Sequence, residues 1–258
     1  MYSHISRRQF SASIAGAVAS FVLGGTCRRA SEPRQAEDGR LTARPRTNVE
    51  TSSSGERKLG LDNRRDAILH LPPKTSGHPL PLLVFFHGAG QNAEHMLRLV
   101  GSASDEARVA VLAPNSRDSS WDAIRGDFGR DVSFVNRSLE LVFDSVAVDP
   151  ARIAVGGFSD GATYALSLGL INGDLFRRVV AFSPGFVVDG TPHGTPSFFI
   201  SHGTKDPILP IDRCSRPIVA ALQKRGYDVT FRKFDGGHEV PEEIATEGMR
   251  WAAAPPTA

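Results

Sequence analysis

The sequence predicts an α/β domain, a mostly parallel sheet with helices on both faces. Three observations carry the prediction. Short apolar runs alternate with segments whose apolar residues fall at helical spacing, the order expected of βα units. Several of those runs are almost unbroken in apolar character, as at 80–86, which suits strands covered on both sides. The stretch 59–258 has the length of one such domain and leaves no room for a large cap.

Each element follows in order. An alternating segment at 66–71, stopped by Pro72 and Pro73, opens the domain as a strand. The run 80–86 ends in His87, Gly88, Ala89 and Gly90, and 109–113 is another short buried strand. From Asp131 the spacing turns helical, with Leu139, Val142, Phe143 and Val146 at i, i+3, i+4 and i+7. Residues 153–158 form the next strand, and an alanine-rich helix begins directly after Ser159. Strands at 179–182 and 197–201 precede a helix that carries Ile218, Ala221 and Leu222 and stops at Gly226. The run 229–234 alternates as an exposed edge strand does, and Pro241, Glu242 and Glu243 start the last helix.

A hydrophobic fraction of 40% supplies enough apolar surface for a core, which excludes a disordered chain. The formal charge of +2 is uneven. Ten basic against five acidic side chains lie at or before Lys58, so residues 59–258 carry about −3. The basic balance belongs to the leader, and nucleic acid is not an expected partner. Residues 1–27 pair Arg7-Arg8 with a modest hydrophobic stretch, which resembles a twin-arginine export signal and predicts a periplasmic or extracellular protein. That stretch is too short and too rich in Ser, Gly and Ala to span a membrane, so stable insertion is not expected. Cys27 is a poor lipidation site because Gly24 stands where an aliphatic residue is usual; retained, it could bridge to Cys214. Residues 28–58 are poor in large apolar side chains and are expected to be a disordered linker before the domain at 59–258.

The chemistry converges on Ser159. It sits in Gly157-Phe158-Ser159-Asp160-Gly161, between a strand and a helix, where a tight turn exposes the hydroxyl at the positive end of the helix. A serine hydroxyl is a weak nucleophile at neutral pH and needs a base. His238 fits, in a glycine-rich loop after the last strand; His87 and His202 precede glycine at strand ends, where a buried histidine braces a loop. The base needs an acceptor to hold its tautomer. Asp206 lies between serine and histidine in chain order, with Asp235 as its rival and Asp189 and Asp212 as weaker ones. Backbone N–H groups of Ala89 and Asp160 are the candidate oxyanion donors. Trp121 and Phe186 are candidate walls of a substrate cleft, with a loop anchor as the other reading of Trp121. No metal or nucleotide motif is present, so no cofactor is expected.

These motifs resemble the α/β-hydrolase superfamily, with Ser159, Asp206 and His238 in that fold's Ser…Asp…His order. The stretches 86–91, 157–161 and 202–206 are similar to the phospholipase/carboxylesterase group, including bacterial esterases related to polyhydroxybutyrate depolymerases and feruloyl esterases. The resemblance implies hydrolysis of small carboxylic esters through an acyl-serine. It departs at Asp160, where the group often carries an uncharged residue; a carboxylate there disfavours anionic acyl groups. A serine peptidase, a thioesterase and a non-catalytic binding protein on the same fold are the rival readings. The dozen or so residues between the strands ending near Phe182 and beginning near Ser197 are rich in Gly and Pro, too broken for a lid helix.

Overall fold

The computed structural model describes residues 38–51, 53–73 and 77–255. The leader signal and Cys27 lie outside them. Among the described residues, eight strands form one sheet in the order β1-β2-β4-β3-β5-β6-β7-β8. β1 (Gly55–Lys58) and β2 (Ala67–Leu71) run antiparallel at one edge. β4 (Ala110–Pro114), β3 (Leu80–Phe86), β5 (Val148–Phe158), β6 (Arg178–Phe182), β7 (Ser197–Gly203) and β8 (Val229–Phe234) are parallel. The carboxyl ends of β3, β5, β7 and β8 therefore open on one side of the sheet, where α/β sheets bind ligands.

The unbroken apolar runs have the predicted cause. In β3, Leu82, Val84 and Phe86 face one core with α3 (Arg130–Ser145), through Val135, Leu139, Val142 and Phe143. Leu83 and Phe85 face the other core, packing with Met96 and Val100 of α1 (Ala93–Ala107) and with Ile244 and Met249 of α6 (Glu242–Ala253). Helix α4 (Asp160–Ile171) follows β5 and is buried along nearly its whole length. A short helix α2 (Asp122–Arg125) and α5 (Ser215–Lys224) complete the set. β8 is the edge strand that its alternation predicts, only partly buried.

The expected linker is ordered in its described part, which corrects that expectation. Leu41 and Ala43 enter the core at 1% and 4% exposure. The backbone around them is held by side chains of the domain: Asn172 Oδ1 accepts the Leu41 N–H and its Nδ2 donates to the Gly39 carbonyl, while Asn136 Oδ1 accepts from Thr42 and Ala43. Arg40 and Arg44 both reach Asp174, at 2.8 and 2.6 Å, and the Arg40 hydrogen bond in particular holds that carboxyl down at about 2. Farther on, β1 pairs with β2. A segment with few apolar residues thus docks through hydrogen bonds to a distant surface, which a composition count does not register.

Candidate active site

Ser159 stands between β5 and α4 at φ 58° and ψ −120°, in the left-handed region that a non-glycine residue adopts only when its surroundings force it. The flanking glycines are required by space. A Cβ on Gly157 would come 2.7 Å from the Phe86 carbonyl oxygen, and one on Gly161 would come 2.6 Å from that of His87. Strand, turn and helix pack backbone to backbone here, and the serine hydroxyl is left pointing out of the turn.

The loops after β7 and β8 meet in the same way. No Cβ fits at Gly203, where Gly236 and Gly237 pass, and the Lys205 N–H donates to the Gly236 carbonyl at 2.9 Å. This closure brings His238 between Asp206 and Ser159. His238 Nε2 lies 2.9 Å from Ser159 Oγ, and Nδ1 lies 2.6 Å from Asp206 Oδ2. The His238 ring also packs against Phe158, centroids 4.8 Å apart. Asp206 Oδ1 accepts the N–H groups of Ile208 and Leu209 at 2.9 and 2.8 Å. Burial pushes the Asp206 carboxyl up, yet the Leu209 amide, the His238 ring and the Ile208 amide outweigh it, and the net shift is downward. Asp235, the rival acid, points away and pairs with Lys205 at 2.7 Å on the surface.

The loop after β3 lies against the serine: a Cβ at Gly88 would sit 3.3 Å from Ser159 Cβ. His87 braces this loop, as expected. The buried ring's Nδ1–H donates to the Gly88 carbonyl at 2.7 Å, and its Nε2 accepts the Ser116 N–H at 3.0 Å. Those partners require a neutral ring, and burial lowers the His87 pKa to about 4. Gly90 and Gln91 donate their N–H groups to Ser119 and Gly88 carbonyls. Among the described residues, no acceptor takes the N–H of Ala89 or of Asp160. Asp160 follows Ser159 directly at the start of α4, and Ala89 lies in the loop after β3. The Asp160 carboxylate accepts from Ser120 Oγ at 2.5 Å.

Trp121 is not a cleft wall. It is fully buried, stacks on Tyr164 with centroids 4.9 Å apart, and donates its indole N–H to the His87 carbonyl at 2.8 Å. The anchor reading holds: the large ring satisfies its one donor in the core beneath the loop, where no substrate reaches. Phe186, by contrast, is 47% exposed in the segment after β6, and Ile208, beside Asp206, is 66% exposed. Ile208 drew no attention in the sequence; its place two residues after the acid was the available signal. Residues 183–196 carry neither helix nor strand. Cys214 is a free, buried thiol at the start of α5. Among the described residues, no helix is long and apolar enough to cross a membrane.

Comparison with known proteins places the fold among serine hydrolases and esterases by similarity. Residues 132–248 match the model of a family described as phospholipase/carboxylesterase. NocK of Nocardia uniformis subsp. tsuyamanensis, an esterase by name, is 29% identical over 190 residues, 68% of this chain and 55% of that protein. Feruloyl esterase C of Emericella nidulans is 31% identical over 159 residues, 58% of each chain. The chain thus spans a little over half the length of the curated relatives it matches. Among solved structures, the fluorophosphonate-binding serine hydrolase F of Staphylococcus aureus superposes with a TM-score of 0.63 at 15% identity, over 79% of this chain and 100% of that one. The Bacillus cereus carboxylesterase gives 0.57 at 22%, over 74% and 94%. At these identities the superpositions speak for the fold.

Proposed function

We propose that this chain, an α/β-hydrolase by fold, is a serine esterase that cleaves carboxylic esters through an acyl-serine intermediate. The reading rests first on the continuous chain from Ser159 Oγ through His238 to Asp206, at 2.9 and 2.6 Å. In this mechanism Ser159 Oγ attacks the ester carbonyl carbon while His238 Nε2 takes its proton. Asp206 accepts the Nδ1–H of His238, which keeps Nε2 free for that proton and stabilises the imidazolium. The carbonyl oxygen gains negative charge and is met by the N–H groups of Ala89 and Asp160, the latter at the positive end of α4. The imidazolium then protonates the departing alkoxide as the C–O bond breaks. Water, deprotonated by the same His238, attacks the acyl-serine and releases the acid.

The substrates on this reading are small, soluble esters with short acyl or aryl groups. Support comes from the irregular segment 183–196, which offers no amphipathic lid helix, and from exposed apolar side chains at Phe186 in that segment and at Ile208, two residues after Asp206. The test joins two measurements. A fluorophosphonate probe should label the parent and not Ser159→Ala, whose kcat on p-nitrophenyl esters should fall by about 10⁴ or more. Rates should decline with acyl length and show no jump at the emulsion threshold. Absence of labelling in the folded parent would make it a binding protein instead.

Residues 1–27 are, on the same proposal, a twin-arginine signal for export to the periplasm or beyond. Replacing Arg7 and Arg8 together by Lys should trap precursor inside a bacterial host; unchanged export rules the signal out.

A further inference from the structure

The Asp206 carboxylate touches a second imidazole that the proposed ester chemistry leaves idle. His202, within β7, is fully buried. Its Nδ1 lies 2.5 Å from Ser215 Oγ at the start of α5, and its Nε2 lies 2.7 Å from the Leu209 carbonyl oxygen and 3.2 Å from Asp206 Oδ2. The partners determine the tautomer. A carbonyl and a carboxylate only accept, so Nε2 carries the proton, and the Ser215 hydroxyl donates to Nδ1. Burial lowers the pKa of this ring, in keeping with a single proton on it. Leu209 is also the residue whose N–H holds Asp206 Oδ1. One ring therefore braces the peptide that binds the first carboxylate oxygen and lies against the second.

We propose, on the serine esterase reading above, that His202 is a positioning residue: its Nε2–H keeps Asp206 Oδ2 aimed at His238 and takes up part of that oxygen's charge. Without this donor, Oδ2 turns more of its charge on His238 and favours the imidazolium. His238 must be unprotonated to accept the serine proton, so the acidic limb of the pH–rate profile moves to higher pH. The other titratable groups around this corner are Cys214 and Arg213 beside α5, the Lys205–Asp235 pair, and Glu239, which accepts the Gly237 N–H. They are the same in every variant below, so a moved limb reports His202.

His202→Asn sets an amide near Nδ1, opposite Ser215, and leaves nothing at Nε2. His202→Gln sets an amide nitrogen near Nε2. For His202→Asn, kcat/KM should fall about tenfold and the acidic limb should rise by about half a pH unit, while His202→Gln restores the limb. A limb that stays put in folded His202→Asn, or moves equally in both variants, overturns the proposal. Independently of whether either variant folds, ¹⁵N NMR of the parent should find the His202 proton on Nε2; a proton on Nδ1 overturns it too. A parent without esterase activity sinks the functional reading, whereas the tautomer still tests the His202 contact.

Discussion

Asp206 and Asp131 are both buried aspartates that each accept two backbone N–H groups, yet their carboxyls are displaced in opposite directions. Asp131 accepts from Arg117 at 2.6 Å and from Asp122 at 2.7 Å; Asp122 returns the bond, accepting the Asp131 N–H at 2.8 Å. Burial and then the Asp122 charge raise Asp131 to about 6. Burial acts on Asp206 as well, but there the further neighbour is the His238 ring, and the net shift is downward. Once the amides are counted, the sign is set by what faces the last lone pairs, a like charge or a proton donor. The two sites have different work. The Asp122–Asp131 clasp closes the segment that carries Ser119, Ser120 and Trp121 up to the Ser159 turn, while Asp206 faces His238, the base on the proposed reading.

Exchanging each carboxylate for an amide breaks this comparison most sharply. Asp206→Asn should lower kcat by about 10³–10⁴ with the fold intact, because an amide can present N–H to Nδ1 and favour the wrong tautomer. Steady-state kinetics beside a melting curve check this, and an active Asp206→Asn removes the acid assignment. Asp131→Asn should instead act on stability. A carboxyl whose folded pKa is raised, here from 3.8 to about 6, binds its proton more tightly when folded, so its contribution to stability falls as pH rises through that window and is flat above it. The Tm gap between Asp131→Asn and its parent should therefore move in the variant's favour from about pH 4 to pH 7, by on the order of 2 kcal/mol or about 4 °C. A constant gap contradicts the raised pKa, whatever the offset from the altered hydrogen bonds. The smallest effect belongs to Asp235→Asn: its partner is an exposed lysine, and kcat should change by less than about threefold. A loss comparable to that of Asp206→Asn would exchange the two roles.

Much of this architecture was legible in the chain. The run 80–86 announces a strand covered on both faces because nothing polar interrupts it, and both cores receive its side chains. The turn at Ser159 is legible because only glycine fits where the Phe86 and His87 carbonyls pass. Asp206 was preferred to Asp235 because a residue three positions from His238 has difficulty reaching its far ring nitrogen; in the fold Asp235 pairs with Lys205 at the surface. Helix α1 was missed although Asn92 caps it, accepting the His95 N–H at 2.9 Å, and its buried stripe includes Met96, Leu97 and Val100. Trp121 was left between a cleft wall and a loop anchor because a large aromatic in a loop near a site reads alike whether its ring points into the cleft or beneath it.

The sequence by itself determined the alternation of strands and helices and the tight turn at the serine, because periodicity and the space around glycine are local properties. It also marked the carboxyl-end loops that carry Ser159, Asp206 and His238. Only the tertiary structure decided that 38–51 and 53–58 dock on the domain, that Trp121 lies under the loop after β3, and that His202 shares the Asp206 carboxylate. Each of those depends on a hydrogen-bond partner or packing neighbour brought close by the parallel sheet, and one-dimensional spacing carries no record of such meetings.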